Sequence, residues 1–203
     1  MSGQTRFARL VTDVVVRRPF LWRLLRGRVR AMFDAIAPSW ETRIGPDHVA
    51  ALELALAELA SSPRRVLGLG TGTGVAAQAV AQRFVAAEVV GVDLAPAMVA
   101  EAERLLPAEL AGRVRFEAGD ASALPFADGG FELVTLANMI PFFDELARVT
   151  AAGGAVVFSF SRGASTPIYV PQDRLRRELG RRGFTEFAAF SAGPGTALLA
   201  VKD

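Results

Sequence analysis

Apolar positions along the 203-residue chain follow two different periods, and the change falls near residue 61. The first part is helical in spacing. Leu21, Leu25, Val29, Met32 and Ile36 share one stripe at 3.6 residues per turn with Arg23, Arg26 and Arg30 opposite, which predicts an amphipathic helix over 20–36. Ahead of it lies an arginine-flanked apolar segment (Leu10, Val11, Val14, Val15, Val16) that breaks at Pro19. Behind it, Pro38 to Glu41 and Gly45-Pro46-Asp47 read as turns, and Leu52, Leu56 and Leu59 predict a third helix over 48–60.

Beyond residue 61, short apolar runs at 66–69, 87–92, 114–118, 131–137 and 155–160 alternate with helical patterns at 75–85, 96–106, 141–149 and 171–182. That alternation predicts βαβ units and a parallel sheet. The runs 184–190 and 196–202, joined by Ser191-Ala192-Gly193-Pro194-Gly195, predict an antiparallel hairpin at the end of it. The chain is therefore read as a basic helical cap over 1–60 in front of an α/β core over 61–203.

Composition narrows the chemistry. With 51% hydrophobic and 22% charged residues the chain is an ordinary globular protein, and with no cysteine it has no disulfide, thiolate metal site or cysteine nucleophile. His48 is the single histidine, so a multi-histidine metal centre is excluded and no metal is expected. At the start of its helix, a first-turn role for His48 outweighs catalysis. No run of about 18 apolar residues exists to span a bilayer, and the basic N-terminus lacks the apolar core and cleavage site of a secretory signal. A cytoplasmic location follows. Through Arg30 eight arginines face Asp13 alone, although net charge is only +2. The stripe over 20–36 is read as packing on the domain with its arginines solvated, because such stripes mostly face a core. Contact of residues 1–36 with an anionic membrane surface is the alternative.

Val66-Leu67-Gly68-Leu69-Gly70-Thr71-Gly72-Thr73-Gly74 is a buried-strand pattern that runs into alternating glycines and then a helix. Glycines there permit positive φ and close approach of a ligand, and the helix that follows presents free N–H groups. Asp93 closes the next strand, where a carboxylate can accept both hydroxyls of a ribose. The spacing is G-x-G-x-G, with Val75 where a dinucleotide fold places its third glycine, so a pyrophosphate cradle is disfavoured; no G-K-[ST] of a triphosphate loop follows. Asp120 closes the third strand, and Asn138 the fourth, at the strand ends where ligands collect in open parallel sheets.

Five collinear motifs now resemble one family, the class I S-adenosylmethionine-dependent methyltransferases, and within it the ubiquinone and menaquinone biosynthesis branch. They are 66–74, 89–93, 119–126 (GDASALPF), 131–138 and 146–158, with Phe33-Asp34-Ala35-Ile36-Ala37-Pro38-Ser39-Trp40 resembling the segment that caps the cofactor. The resemblance implies a Rossmann-like three-layer α/β/α sandwich with a seven-stranded, mostly parallel sheet in the order 3-2-1-4-5-7-6, its last strand antiparallel. It implies S-adenosylmethionine as cofactor and S-adenosylhomocysteine as product. Gly70, Thr71, Gly72 and Gly74 would meet the methionine part, Asp93 the ribose and Leu94 the adenine. Asp120 would meet the adenine amine beside Ala121, and Asn138 the sulfonium end. Gly68 stands where the family usually carries an acidic residue that helps hold the cofactor's amino group.

The substrate wall is expected to be apolar, with Trp40, Met139, Phe142, Phe143, Ile168 and Tyr169. Methyl transfer can proceed by proximity alone, and Asp144, Glu145, Glu41 and Tyr169 are the base candidates, none with a telling partner. The expected partner is a small acceptor; a homodimer is a further one to test. The rival readings are a nicotinamide oxidoreductase, the least favoured on glycine spacing, a cofactor-binding protein with weak or no catalysis, and a nucleic-acid methyltransferase using the basic N-terminus. The last is disfavoured because Asn138-Met139-Ile140-Pro141 is not an Asn-Pro-Pro-aromatic motif.

Overall fold

The computed structural model describes residues 3–45 and 47–203, apart from the side chain of Gln4. Seven strands form one sheet: β1 (Arg65–Leu69), β2 (Glu88–Asp93), β3 (Val114–Ala118), β4 (Phe131–Ala137), β5 (Thr150–Phe160), β6 (Phe184–Ala192) and β7 (Gly195–Lys202). Their order is β3-β2-β1-β4-β5-β7-β6. The first five are parallel, and β7 runs antiparallel between β5 and β6. The central strands are apolar on both faces because helices cover both. Val66 and Leu133 are buried with one set of helices; Leu67, Val134 and Phe158 are buried with the other.

Helices α4 (Val75–Arg83) and α5 (Pro96–Leu105) lie on the first face with α3 (Ala50–Ala57), and α6 (Phe143–Val149) and α7 (Gln172–Gly180) lie on the second. α3 is shorter than the pattern predicts, and its Leu52 and Leu56 pack on the sheet beside β5, β6 and β7. It therefore completes a layer of the sandwich instead of belonging to the cap.

Three further details differ from the expectation. The Gly153-Gly154 turn before the fifth strand is a bulge inside β5: Thr150 pairs with Phe131 and Ala155 with Leu133, leaving extra residues around Gly153 at φ +69°. The final hairpin turns on two residues, Gly193 and Pro194, so both of its strands are longer than expected. Helix α2 starts at Trp22, because Pro19 to Leu21 form a 3-10 turn.

The N-terminal part is a helical hairpin, α1 (Gly3–Arg17) and α2 (Trp22–Ile36), laid across the carboxyl ends of the central strands. Val11, Val15 and Val16 of α1 and Trp22 and Val29 of α2 are buried in the main core. The stripe thus packs on the domain as read. Arginines also tie the hairpin to the core. Arg9 donates to the carbonyls of Ala164 (2.9 Å) and Thr166 (3.1 Å), Arg26 to Asp120 (2.9 Å), and Arg174 of α7 donates to Val16 at the end of α1 (2.9 Å). Asp34 accepts the free N–H of Ala97 in the first turn of α5 (3.0 Å), where an anion is favoured.

Candidate active site

A cavity of about 470 Å³ opens where β1, β2 and β4 end, within the range of roughly 300–1,000 Å³ typical of small-molecule sites. Its floor is the glycine loop and its roof is the cap. Gly70 (φ +64°) and Gly72 (φ +53°) both line it. A Cβ on Gly70 would stand 2.7 Å from Cγ of Met139, and one on Gly72 would stand 3.5 Å from Nε1 of Trp40, so both glycines keep the backbone open to whatever lies in the cavity. Gly74 has another purpose. Its Cβ would meet the Phe116 ring at 2.7 Å, and Gly74 is absent from the described cavity wall. Positive φ (+89°) and tight helix-on-strand packing explain it, and the expected approach to a ligand is corrected. Thr71 is corrected likewise: its Oγ1 is buried without a partner beside Gly91, turned away from the cavity.

Asp93 stands at the tip of β2 on the cavity wall, accepting N–H from Gly72 (Oδ2, 2.9 Å) and Ala95 (Oδ1, 2.9 Å). Burial pushes its carboxyl above the usual range, against the backbone N–H groups that pull it down and with Asp34 adding to the rise. It clamps the glycine loop to the next strand. Leu94, Ala121, Asn138, Met139, Phe142 and Trp40 also line the cavity. Asn138 is in the left-handed region (φ 51°), and its Nδ2 donates to Ser161 Oγ (3.0 Å) while its Oδ1 accepts the Ser161 N–H (2.9 Å). The ends of β4 and β5 are thus tied together at the cavity.

Asp120 lies in a neighbouring hollow of about 360 Å³ that shares Leu94 and Gly119 with the first. Its carboxylate accepts the Trp22 indole N–H (2.8 Å), Arg26 (2.9 Å) and the Ser122 N–H (2.9 Å). Burial pushes Asp120 up, but the combined hydrogen bonds from Ser122, Trp22 and Arg26 outweigh it and hold the carboxyl below its usual range. The third strand's acid is therefore the cap's anchor in this structure. A second contact of the cap with the loop is Glu41, whose Oε1 accepts the Thr73 hydroxyl at 2.5 Å.

Two residues expected on the substrate wall are elsewhere. Phe143 is buried at the start of α6 under Arg182, whose guanidinium lies 5.5 Å from its ring, and Tyr169 stacks edge-on against Phe160 at 5.0 Å. Neither is among the described cavity residues, because both side chains turn into the second helical layer. Of the base candidates, Asp144 pairs with Arg182, Glu145 with Arg148, and Glu41 with Thr73, so none faces the cavity. The residues missed from sequence are Trp22, His48, Ser161 and Arg162. Ser161 and Arg162 follow β5, and the strand-end rule that marks Asn138 marks them equally. Trp22 carries a donor that needs a partner once buried. His48 has no local signal, since it reaches the wall only through the fold of the segment between α2 and α3.

Sheet order, glycine loop and acidic tip of β2 together are those of the Rossmann-like methyltransferase fold, and the core of the chain is similar in sequence to methyltransferases. Residues 66–154 match the model of a methyltransferase domain. The chain is 42% identical to the demethylmenaquinone methyltransferase of Thermus thermophilus, over 62% of either protein. It is 38% identical to the malonyl-[acyl-carrier protein] O-methyltransferase of Halorhodospira halophila, over 64% of this chain and 47% of that one. It thus spans less than two thirds of both relatives. Among solved structures, a chain in the Haloferax volcanii complex of the Trm112 methyltransferase activator with a methyltransferase superposes with a TM-score of 0.69 at 18% identity, over 84% of this chain and 97% of that one. That likeness is one of fold.

Proposed function

We propose that this protein transfers a methyl group from S-adenosylmethionine to a small, largely apolar acceptor of the quinone-biosynthesis type. The observation that carries the reading is the continuity of one cavity from Gly70, Gly72 and Asp93 to an apolar wall of Met32, Phe33, Met139 and Phe142. The residues fit the cofactor: two cavity-facing glycines at positive φ would leave room for its methionine part, and the Asp93 carboxylate on the cavity wall could accept ribose hydroxyls. Leu94 and Ala121 would flank the adenine. Gly68 does not reach the cavity; a Cβ there would sit in ordinary contact with Thr135 Oγ1 (3.6 Å) and Ala77 (4.0 Å), between the sheet and α4.

When bound, the sulfonium supplies an already activated methyl. The chain's own contribution is to hold the acceptor in line and exclude water under the cap, through Trp40, Met139 and Phe142. The similarity to a demethylmenaquinone methyltransferase favours a reduced naphthoquinone with an apolar tail as the acceptor class. Calorimetry with S-adenosylhomocysteine and, separately, NAD tests the cofactor: the first is expected to bind and the second not, and failure of the first refutes the reading.

A peripheral membrane contact fits a lipophilic acceptor. Phe20 and Leu24, 63% and 78% exposed, stand one turn apart at the α1–α2 corner beside Arg17, Arg18 and Arg23, which have no ion-pair partner among the described residues. Apolar anchors rimmed by arginine suit an anionic bilayer. Co-sedimentation with phosphatidylglycerol vesicles is expected for the native chain and not for F20E/L24E; equal association of both would rule the corner out.

A further inference from the structure

We infer that His48 is the general base of the transfer, taking the proton from the acceptor's hydroxyl or activated carbon as the methyl group arrives. The inference rests on the methyltransferase reading and assigns a group to it that no resemblance supplies. Three proton-accepting carboxylate or imidazole side chains face the cavity among the described residues: Asp47, His48 and Asp93. Asp93 is assigned to the cofactor: each oxygen accepts one backbone N–H, and the remaining lone pairs are left for the ribose hydroxyls. Asp47 is exposed and sits beside the β6–β7 turn, with its Oδ2 3.9 Å from where a Gly193 Cβ would lie. Asn138 and Ser161 satisfy one another. His48 remains, half-buried on the cavity wall, its side chain without a hydrogen-bond partner among the described residues.

An imidazole is the side chain best matched to proton transfer near neutral pH. Burial holds His48 below its ordinary value, against Glu41, which raises it, so the ring is neutral and ready to accept at pH 7. The other charged side chains on the cavity wall are Arg43 and Asp47 from its own segment, Asp93 from β2 and Arg162 from the loop after β5. The step balances. The acceptor's X–H bond breaks and the proton goes to the imidazole nitrogen; the electron pair left on X forms the bond to the methyl carbon. The carbon–sulfur bond breaks with its pair kept by sulfur, giving the methylated acceptor, S-adenosylhomocysteine and imidazolium.

As the only histidine, His48 gives a single pair of ring resonances in the NMR spectrum of the full chain. The experiment titrates that signal in protein saturated with S-adenosylhomocysteine, with and without 1-naphthol as a stable acceptor-like phenol. The same protein and H48Q are then assayed for methylation of 1,4-naphthohydroquinone from pH 5 to 9. The expected result is a midpoint below 6.5 without the phenol, a clear shift on adding it, and an acid limb in kcat/KM at the same midpoint. H48Q should bind S-adenosylhomocysteine normally and lose about 10²-fold in kcat together with the acid limb. A naphthol-insensitive resonance, or H48Q with unchanged rate and pH profile, overturns the assignment. Failure of S-adenosylhomocysteine to bind the native chain is a separate outcome: it removes the methyltransferase reading and this inference with it.

Discussion

Replacing Trp22 with Phe isolates the contact between cap and core. The ring of Trp22 is 5% exposed, packs on Phe142 at 5.3 Å and gives its N–H to Asp120 at 2.8 Å. Phe keeps most of the packing and deletes the donor. A hydrogen bond to a charged acceptor contributes about 1.5–3 kcal/mol. Here the lower end applies, because Asp120 keeps Ser122 and Arg26, and Arg26 is about half exposed and solvent-screened. Loss of buried indole area adds on the order of 1 kcal/mol. The sum, about 2–3 kcal/mol, raises the opening equilibrium of the cap roughly 30- to 150-fold. Native-state hydrogen exchange read by mass spectrometry checks this: amides of α1 and α2 should lose that much protection while β1 and β4 change little. The sign with pH is also fixed. Asp120 is held below its ordinary value, so its contribution is fully present above about pH 3.9 and is lost as pH falls through the depressed value. The difference between native and variant should persist down to about pH 4 and shrink below it. Unchanged exchange over 22–36, or equal loss throughout the sheet, would refute the view of the cap as a separately opening unit.

Gly91→Ala would place Cβ 2.5 Å from Phe116 Cδ1 and 2.7 Å from Thr71 Oγ1, and should lower stability by about 1–3 kcal/mol in thermal or urea unfolding, whereas Gly68→Ala, with its nearest neighbour at 3.6 Å, should be nearly silent. Arg148 donates to the carbonyls of Phe126 (2.6 Å) and Leu124 (3.0 Å) and pairs with Glu145, tying the loop after β3 to α6. Arg148→Ala should cost about 2–4 kcal/mol by urea titration, while Asp128→Ala, removing a partner that is 82% exposed, should cost under about 1. Asp93→Asn sets an amide N–H against the Gly72 or Ala95 N–H, and calorimetry should show S-adenosylhomocysteine affinity falling at least about tenfold.

The sheet was legible because its signals are local. Strand runs, the Gly-x-Gly-x-Gly turn and the acid after the second strand each lie within a few residues, and the final hairpin follows from two apolar runs and a short turn. Roles that depend on a distant partner were not legible. Gly74 has the same sequence context whether it faces a ligand or Phe116, and the ring that decides it lies on β3. Asp120 reads as a strand-end acid, yet Trp22, 98 positions away, takes its Oδ1. Asp144, Glu145 and Tyr169 sit at the right places along the chain, but α6 and the segment before α7 turn them to Arg182, Arg148 and Phe160. His48 shows the converse: an unremarkable position along the chain becomes part of the wall once the cap folds over the strand ends.

The long-range arginine ties of the cap also set an order of events during synthesis. Arg9 needs the carbonyl of Thr166, and the end of α1 needs Arg174, at separations of 157 and 158 residues. At roughly 5–20 residues per second, α1 leaves the ribosome some 8 to 30 s before the groups that will hold it exist. For that interval Val11, Val15, Val16 and Trp22 have no core to cover them, on a segment dense in arginine. A basic amphipathic helix in waiting is a ready client for a chaperone or an anionic surface, and the rate at which the last third of the chain is translated should govern the yield of native protein.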